Sequence, residues 1–241
     1  MRRLLQTAVN SGILLVNPAS RMNDDLPMVP ETEVRVLTPK DVDRIAEAVH
    51  PRYKALLLFL AWSGCRIGEA SELKVSNLDL LHGMVTVREA AAVVRGKIVH
   101  GQTKNKRARE IALPDFLVRE LRRHVEEFPP DESGIVFTGR HGGQINHNNF
   151  RARIWYPALE KAGISKPWPR VHHLRHTMVS LAMARGIPQK VVQSRAGHAT
   201  SAMTDRYTHI FDGQDEALAA EFDRLRSAPD EWWTSGGLMV D

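Results

Sequence analysis

Apolar residues recur along this 241-residue chain at spacings that switch between the helix and strand periods. Leu4, Leu5 and Ala8 share one side of a short helix predicted over residues 1–12, with Gly12 as its stop. Residues 17–36 hold Pro18, Pro27 and Pro30 among polar side chains and read as a linker. The main body opens at Leu37-Thr38-Pro39-Lys40-Asp41. Thr38 suits an N-cap, Pro39 the first helical position and Asp41 the positive end of a helix. Val42, Ile45, Ala46 and Val49 then mark a core face. Residues 52–62 are apolar nearly all round, which predicts a helix buried in the centre, and 66–73 predict a further helical turn or two. Strand signals at 83–88, 91–99 and 109–113 predict a small three-stranded antiparallel sheet. Helical patterns resume at 114–128, 148–162, 172–185, 188–195 and 201–208. A last amphipathic helix over 214–226 puts Leu218, Phe222 and Leu225 on one side, with Trp232 and Trp233 in a tail beyond it. The fold class is α+β, mostly helical, with one small sheet.

Charge sharpens this picture. Residues 95–109 carry six Lys/Arg and no acid, while residues 212–241 carry eight acids against two arginines. The whole chain is +5, so the acidic end at −6 leaves +11 on residues 1–211. A basic body points to a polyanionic partner, and the acidic end to a cover for a basic surface on the same body or a neighbour. Cys65 is the only cysteine, which excludes an intrachain disulfide framework and a cysteine metal site and fits a reducing cytoplasm. No apolar run approaches the roughly 20 residues that span a bilayer. The start Met1-Arg2-Arg3 with Gly12-Ile13-Leu14-Leu15-Val16 mimics a signal peptide weakly, but Gln6, Asn10 and Ser11 interrupt it.

Several residues stand out chemically. On a helix, His172, Arg175 and His176 fall at i, i+3 and i+4 and share one face. Three cationic or basic groups on one face call for an anion. The i, i+4 histidines also match the spacing of two zinc ligands, but His173 stands where a zinc peptidase has glutamate, and an arginine beside a metal is costly. Arg66 follows the central helix at a glycine turn, with Glu69 three residues on; taken alone the two read as a salt bridge. Lys104 lies in the basic segment, where a lysine can reach into a groove or give up a proton. Tyr207 is one of three tyrosines and, taken alone, reads as a core residue. With a free pKa near 10, forming its phenolate at neutral pH costs about 4 kcal/mol.

Together these elements resemble the tyrosine recombinase (phage integrase) family, over roughly residues 37–211. Ser63-Gly64-Cys65-Arg66-Ile67-Gly68-Glu69 is similar to that family's Thr-Gly-Leu-Arg-x-x-Glu, His172-His173-Leu174-Arg175-His176 to its His-x-Leu-Arg-His, and Ala196-Gly197-His198 to its Leu-Gly-His. Tyr207 follows His198 by nine residues, and Lys104, with Lys106 as fallback, matches the lysine of the β-hairpin. Ser63, Cys65, His173 and Arg195 depart from the pattern without removing a reactive group. The resemblance implies four parts: a remnant helix of a core-binding domain (1–20), a linker (21–36), a catalytic domain (37–211), and a C-terminal helix with acidic tail (212–241). The chain then reads as a catalytic-domain fragment or a naturally short form.

The resemblance further implies site-specific DNA recombination through a 3′-phosphotyrosine, with Arg66, Lys104, His172, Arg175, His198 and Tyr207 catalytic and Glu69 and His176 supporting them. DNA contacts are expected at Arg95, Lys97, Lys106, Arg107 and Arg109. No metal or other cofactor is implied. Expected partners are double-stranded DNA, further copies of the chain in a tetramer joined through the C-terminal helix, and an accessory DNA-bending protein. A bacterial, nucleoid-associated cytoplasmic location is implied. Two rivals stay open: a type IB topoisomerase, and a DNA-binding module that cuts nothing for want of an amino-terminal clamp.

Overall fold

The computed structural model describes residues 2–20, 35–102, 108–197 and 214–227. Lys104, Lys106, Arg107, His198, Tyr207, Trp232, Trp233, most of the expected linker and the helix expected over 201–208 lie outside the described residues. Two compact units divide at residues 33 and 34. In the first, α1 (Arg2–Asn10) ends at Gly12, whose φ of 72° only glycine adopts cheaply. Asn17 then donates to the Gln6 side chain at 3.0 Å and folds the following turn back onto the helix.

The second unit starts from α2 (Pro39–Ala48), capped as expected: the Thr38 hydroxyl accepts from the Asp41 N–H, and the Asp41 carboxylate accepts from the Thr38 N–H, both at 3.1 Å. α3 (Pro51–Ser63) is the centre of the core, with every residue from Ala55 to Ser63 buried. It stops at Gly64, left-handed at φ 73°, and the chain turns into the short α4 (Ile67–Ala70). Five strands follow: β1 (Leu78–Asp79), β2 (Met84–Val87), β3 (Glu89–Val94), β4 (Lys97–Gln102) and β5 (Arg109–Ala112).

The expected three-stranded antiparallel sheet is present, but with different members. Its order is β1-β2-β5, in a register that pairs Val85 with Ile111 and Val87 with Arg109. The segment 91–99 does not supply the third strand. It reverses at Arg95-Gly96, both with positive φ, and forms a separate β3–β4 hairpin. That hairpin lies on α4 because Gly68 has no side chain: a Cβ there would stand 2.3 Å from the Ala91 carbonyl oxygen.

α5 (Asp115–Glu127) covers one side of α3. One long helix runs from α6 (His147–Phe150) through a π-helical turn (Arg151–Trp155) into α7 (Tyr156–Lys161). α8 (His173–Ala184) packs along α3 and α9 (Gln189–Ala196) follows it.

α10 (Gln214–Ser227) packs on this chain's own body. Leu218, Phe222 and Leu225 are not a free face for a neighbouring copy. They are buried in this chain's own core, with Phe222 edge-on to Trp62 at 5.3 Å. Polar contacts fasten the helix along its length. Asp215 pairs with Arg195, Glu221 with Arg185 at 2.8 Å, and Arg226 with Asp43 at 3.2 Å. Asp223 accepts from the Asp115 N–H at 3.0 Å, at the start of α5. α10, the described part of the acidic end, thus covers basic and N–H groups of its own body, one of the two uses expected for that end.

Candidate active site

The turn after α3, the start of α8 and the hairpin β3 enclose a cleft of about 370 Å³. Arg66, Glu69, His172 and Arg175 line it, residues separated by up to 109 positions in sequence. Apolar walls come from Leu60, Ile67, Ala91 and Val171, and His147 enters from α6, with its ring nitrogen 3.0 Å from the Ser71 hydroxyl. Nothing in the sequence pattern singled out His147. Only the packing of α6 beside α4 brings it there.

Arg175 is the most constrained of these side chains, at 2% exposure. Its Nη1 donates to the Gly64 carbonyl at 2.7 Å and to the Ala196 carbonyl. Its Nη2 is buried with no hydrogen-bond partner among the described residues. Burial and, next, repulsion by Arg66 lower the Arg175 pKa to about 10, so it stays charged at neutral pH. A buried cation with an unused donor is strained until an anion arrives.

Arg66 is held from behind. Glu69, 3% exposed, accepts from the Arg66 N–H at 2.9 Å and from its Nη1 at 3.0 Å. Burial pushes the Glu69 carboxyl up, but the hydrogen bonds and charge of Arg109, with those of Arg66, outweigh it and hold the carboxyl below its usual range. Glu69 therefore stays ionised. Arg109, expected on DNA, is turned inward: its Nη2 lies 2.7 Å from Glu69 and its side chain is 13% exposed. Strand parity carried a signal for this. Arg109 shares its side of β5 with the fully buried Ile111, and an arginine at that parity needs a buried carboxylate.

His172 stands at the mouth of the cleft, its ring 4.8 Å from that of His176. Partial desolvation, then the nearby His176, Arg175, Arg66 and His173, lower its pKa to about 4. The ring is neutral at pH 7, with a nitrogen free to take a proton. Desolvation first and Arg175 second also lower His176. His173 points elsewhere, its Nδ1 buried and unpartnered among the described residues. Arg195, one of the four departures noted in the sequence, is buried; it donates to the Trp62 carbonyl at 3.0 Å and meets Asp215. Cys65 is buried, and burial pushes its thiol up, so it packs as a neutral side chain. Arg95 and Lys97 sit exposed at the tip of the β3–β4 hairpin. Among the described residues no cluster of three metal-ligating side chains exists, and no helix is long and apolar enough to cross a membrane.

Comparison with known proteins gives the family and the fold. The integrase of Mycobacterium phage L5 is 27% identical over 231 residues, covering 93% of this chain and 61% of that protein. A tyrosine recombinase XerC-like protein of Caldanaerobacter subterraneus is 26% identical over 242 residues, covering 89% and 61%. The chain thus spans about six tenths of the length of these relatives. Among solved structures, the integrase of transposon Tn1549 in complex with transposon right end DNA superposes with a TM-score of 0.71 at 18% identity, over 94% of this chain and 77% of that one. The sequence profile of the phage integrase family matches residues 35–214, three quarters of the chain. The chain belongs to the phage integrase family and has the fold of a tyrosine recombinase catalytic domain.

Proposed function

We propose that this chain cleaves and rejoins DNA strands at specific sites by transesterification, with Tyr207 as nucleophile. The observation that carries the reading is the buried Arg175, whose Nη2 has no partner among the described residues, in a cleft that Arg66 and a neutral His172 also line.

The phosphodiester enters the cleft with its non-bridging oxygens on Arg66 and Arg175, whose planar guanidinium groups donate paired hydrogen bonds and keep their charge. The Tyr207 oxygen attacks phosphorus, its proton passing to His172. The bond from phosphorus to the 5′-oxygen breaks, and Lys104 protonates that oxygen. A 3′-phosphotyrosine and a 5′-hydroxyl result. His198 donates a hydrogen bond to the phosphate. The 5′-hydroxyl of a partner strand then attacks the phosphotyrosine and regenerates the tyrosine, so the bond energy is conserved without a nucleotide. Charge developing on phosphorus is met by fixed cations in a partly dry cleft, the condition under which such groups stabilise a transition state most. Arg95 and Lys97 at the hairpin tip, with Lys106 and Arg107 beyond it, supply sequence-independent backbone contacts. Strand exchange brings several copies onto DNA. The buried α10 makes no apolar offer to them in this conformation.

The test is capture of a covalent complex. The wild-type chain, without added metal, is incubated with a library of nicked duplexes randomised in sequence and run on a denaturing gel. A protein–DNA adduct is expected with wild type and none with Tyr207→Phe. No adduct with any duplex, or an adduct that survives Tyr207→Phe, refutes the reading. Relaxation of supercoiled plasmid without a defined site favours a topoisomerase instead.

A further inference from the structure

Three consecutive carbonyls at the end of α9 each receive an arginine. Arg109 Nε donates to the Arg195 carbonyl at 3.0 Å, Arg175 Nη1 to the Ala196 carbonyl, and Arg66 Nη2 reaches the Gly197 carbonyl at 3.5 Å. The last carbonyls of a helix lack partners within it and carry the negative end of its dipole. Arg66 and Arg175 also line the cleft, whereas Arg109 lies behind them. Arg109 shares both oxygens of Glu69 with Arg66, its Nη2 at 2.7 Å from Oε2 and its Nη1 at 3.3 Å from Oε1. Gly197 shows how tightly the guanidinium is seated. A Cβ there would stand 2.8 Å from Arg109 Nη1 and 2.9 Å from its Cζ. Glycine at 197 thus meets two demands, the left-handed φ of 65° and a flat contact with Arg109.

We propose that Arg109 is a positioning residue for the phosphate clamp, neutralising Glu69 so that Arg66 keeps its outer edge for the anion, and holding the end of α9 in place. Three guanidinium groups and one carboxylate leave the cluster at +2. Without Arg109 the carboxylate falls on Arg66 alone and the cluster drops to +1. A phosphodiester has one negative charge and gains more in its transition state, so the loss weighs on the chemical step rather than on ground-state DNA affinity. Arg109 also heads β5 and thus ties that strand to the turn at Arg66 and to the end of α9.

The kinetic consequence rests on the cleavage reading above, and the experiment separates the two. Arg109→Ala and Arg109→Lys are compared with wild type on the nicked duplex that wild type captures. Covalent-complex formation should slow at least 100-fold in Arg109→Ala, with partial recovery in Arg109→Lys. DNA Kd should change less than threefold, with its salt dependence unaltered. A rate within twofold of wild type overturns the proposal. So does a weakened Kd with a salt slope reduced by about one, the mark of a direct backbone contact. If Arg109→Ala does not fold, Arg109→Met with Glu69→Gln removes both buried charges. Compared with the Arg109→Met single variant, it should regain at least tenfold in rate, because the clamp returns to +2; no regain in the folded double variant overturns the proposal. If wild type captures no duplex, the cleavage reading fails, and inorganic phosphate becomes the probe. NMR of the Gly197 amide, with inorganic phosphate titrated in, should then show a displaced Gly197 signal in Arg109→Lys at a phosphate affinity within threefold of wild type. An unchanged Gly197 signal overturns the role of Arg109 as well.

Discussion

Arg175 holds the Gly64 carbonyl at 2.7 Å across 111 positions of sequence, so a residue that lines the cleft also locks the turn that presents Arg66. Nη1 makes this contact, and Nη2 is left without a partner among the described residues. Arg175→Lys keeps the charge but has no planar fork to hold two carbonyls and an anion together. Single-turnover cleavage should fall about 10³-fold, the lower end of what one arginine supplies in other phosphoryl transfers. The rate of covalent-complex formation is the measure, and a loss below tenfold contradicts the assignment.

Protonation of His172 gives a pH signature. In the unfolded chain this histidine binds a proton near pH 6.5, and in the folded protein only near 4. Its contribution to stability is therefore fully present above pH 6.5 and is lost as pH falls towards 4. The neutral ring also stays ready as a base down to about pH 5 in the free protein. NMR titration of the His172 ring reads this directly, and a midpoint at 6.5 or above rules it out. Bound phosphate should move the midpoint up, because an anion offsets the cationic neighbours.

The pair of buried Arg195 and half-buried Asp215 fastens α10 to its own body. Asp215→Ala strands a fully buried guanidinium and should cost about 3 kcal/mol in urea unfolding. The Arg195→Met, Asp215→Asn double variant removes both charges at similar volume and should lie within about 1 kcal/mol of wild type. Asp215→Ala should also loosen Leu218, Phe222 and Leu225 from the core, and light scattering should then show self-association. A monomer of unchanged stability would mean the pair contributes nothing to docking.

Gly68 sets how closely the hairpin approaches the cleft. Gly68→Ala places a methyl 2.3 Å from the Ala91 carbonyl, and backbone must move. We expect a loss of about 1–3 kcal/mol, as for other overpacked sites, and slower cleavage because the hairpin forms one wall of the cleft. Gly101→Ala, with nothing within 4 Å of the new Cβ, serves as the comparison and should change stability by at most about 0.5 kcal/mol. Denaturant melts of both variants, with hydrogen exchange along the β3–β4 ladder, decide the matter.

Local rules made much of this fold legible in the residue order. The Thr38-Pro39-Asp41 cap, the all-apolar run of α3, the glycine stops at 12 and 64 and the amphipathic α10 depend on neighbours within a turn or two, and each formed as its pattern predicts. The spacing of Arg66, His172 and Arg175 marked candidates, because an arginine among histidines on one helix face is chemically unusual wherever it folds.

Long-range contacts settled the remainder. Strand parity turns Arg109 inward, but no local rule names Glu69, 40 positions away, as its partner. The apolar side of α10 is written in its sequence, yet whether it meets another copy or its own core depends on Trp62, Arg195 and Asp43 from three other elements. The segment 91–99 has β-branched pairs, Val93-Val94 and Ile98-Val99, on both sides of Arg95-Gly96. Its departure from the sheet comes from the turn at Arg95-Gly96 and from the space above Gly68. The low pKa of His172 likewise sums charges from two separate turns of the chain with the loss of water in the cleft. Propensity is a property of a segment, whereas charge, desolvation and packing are properties of the neighbours it acquires.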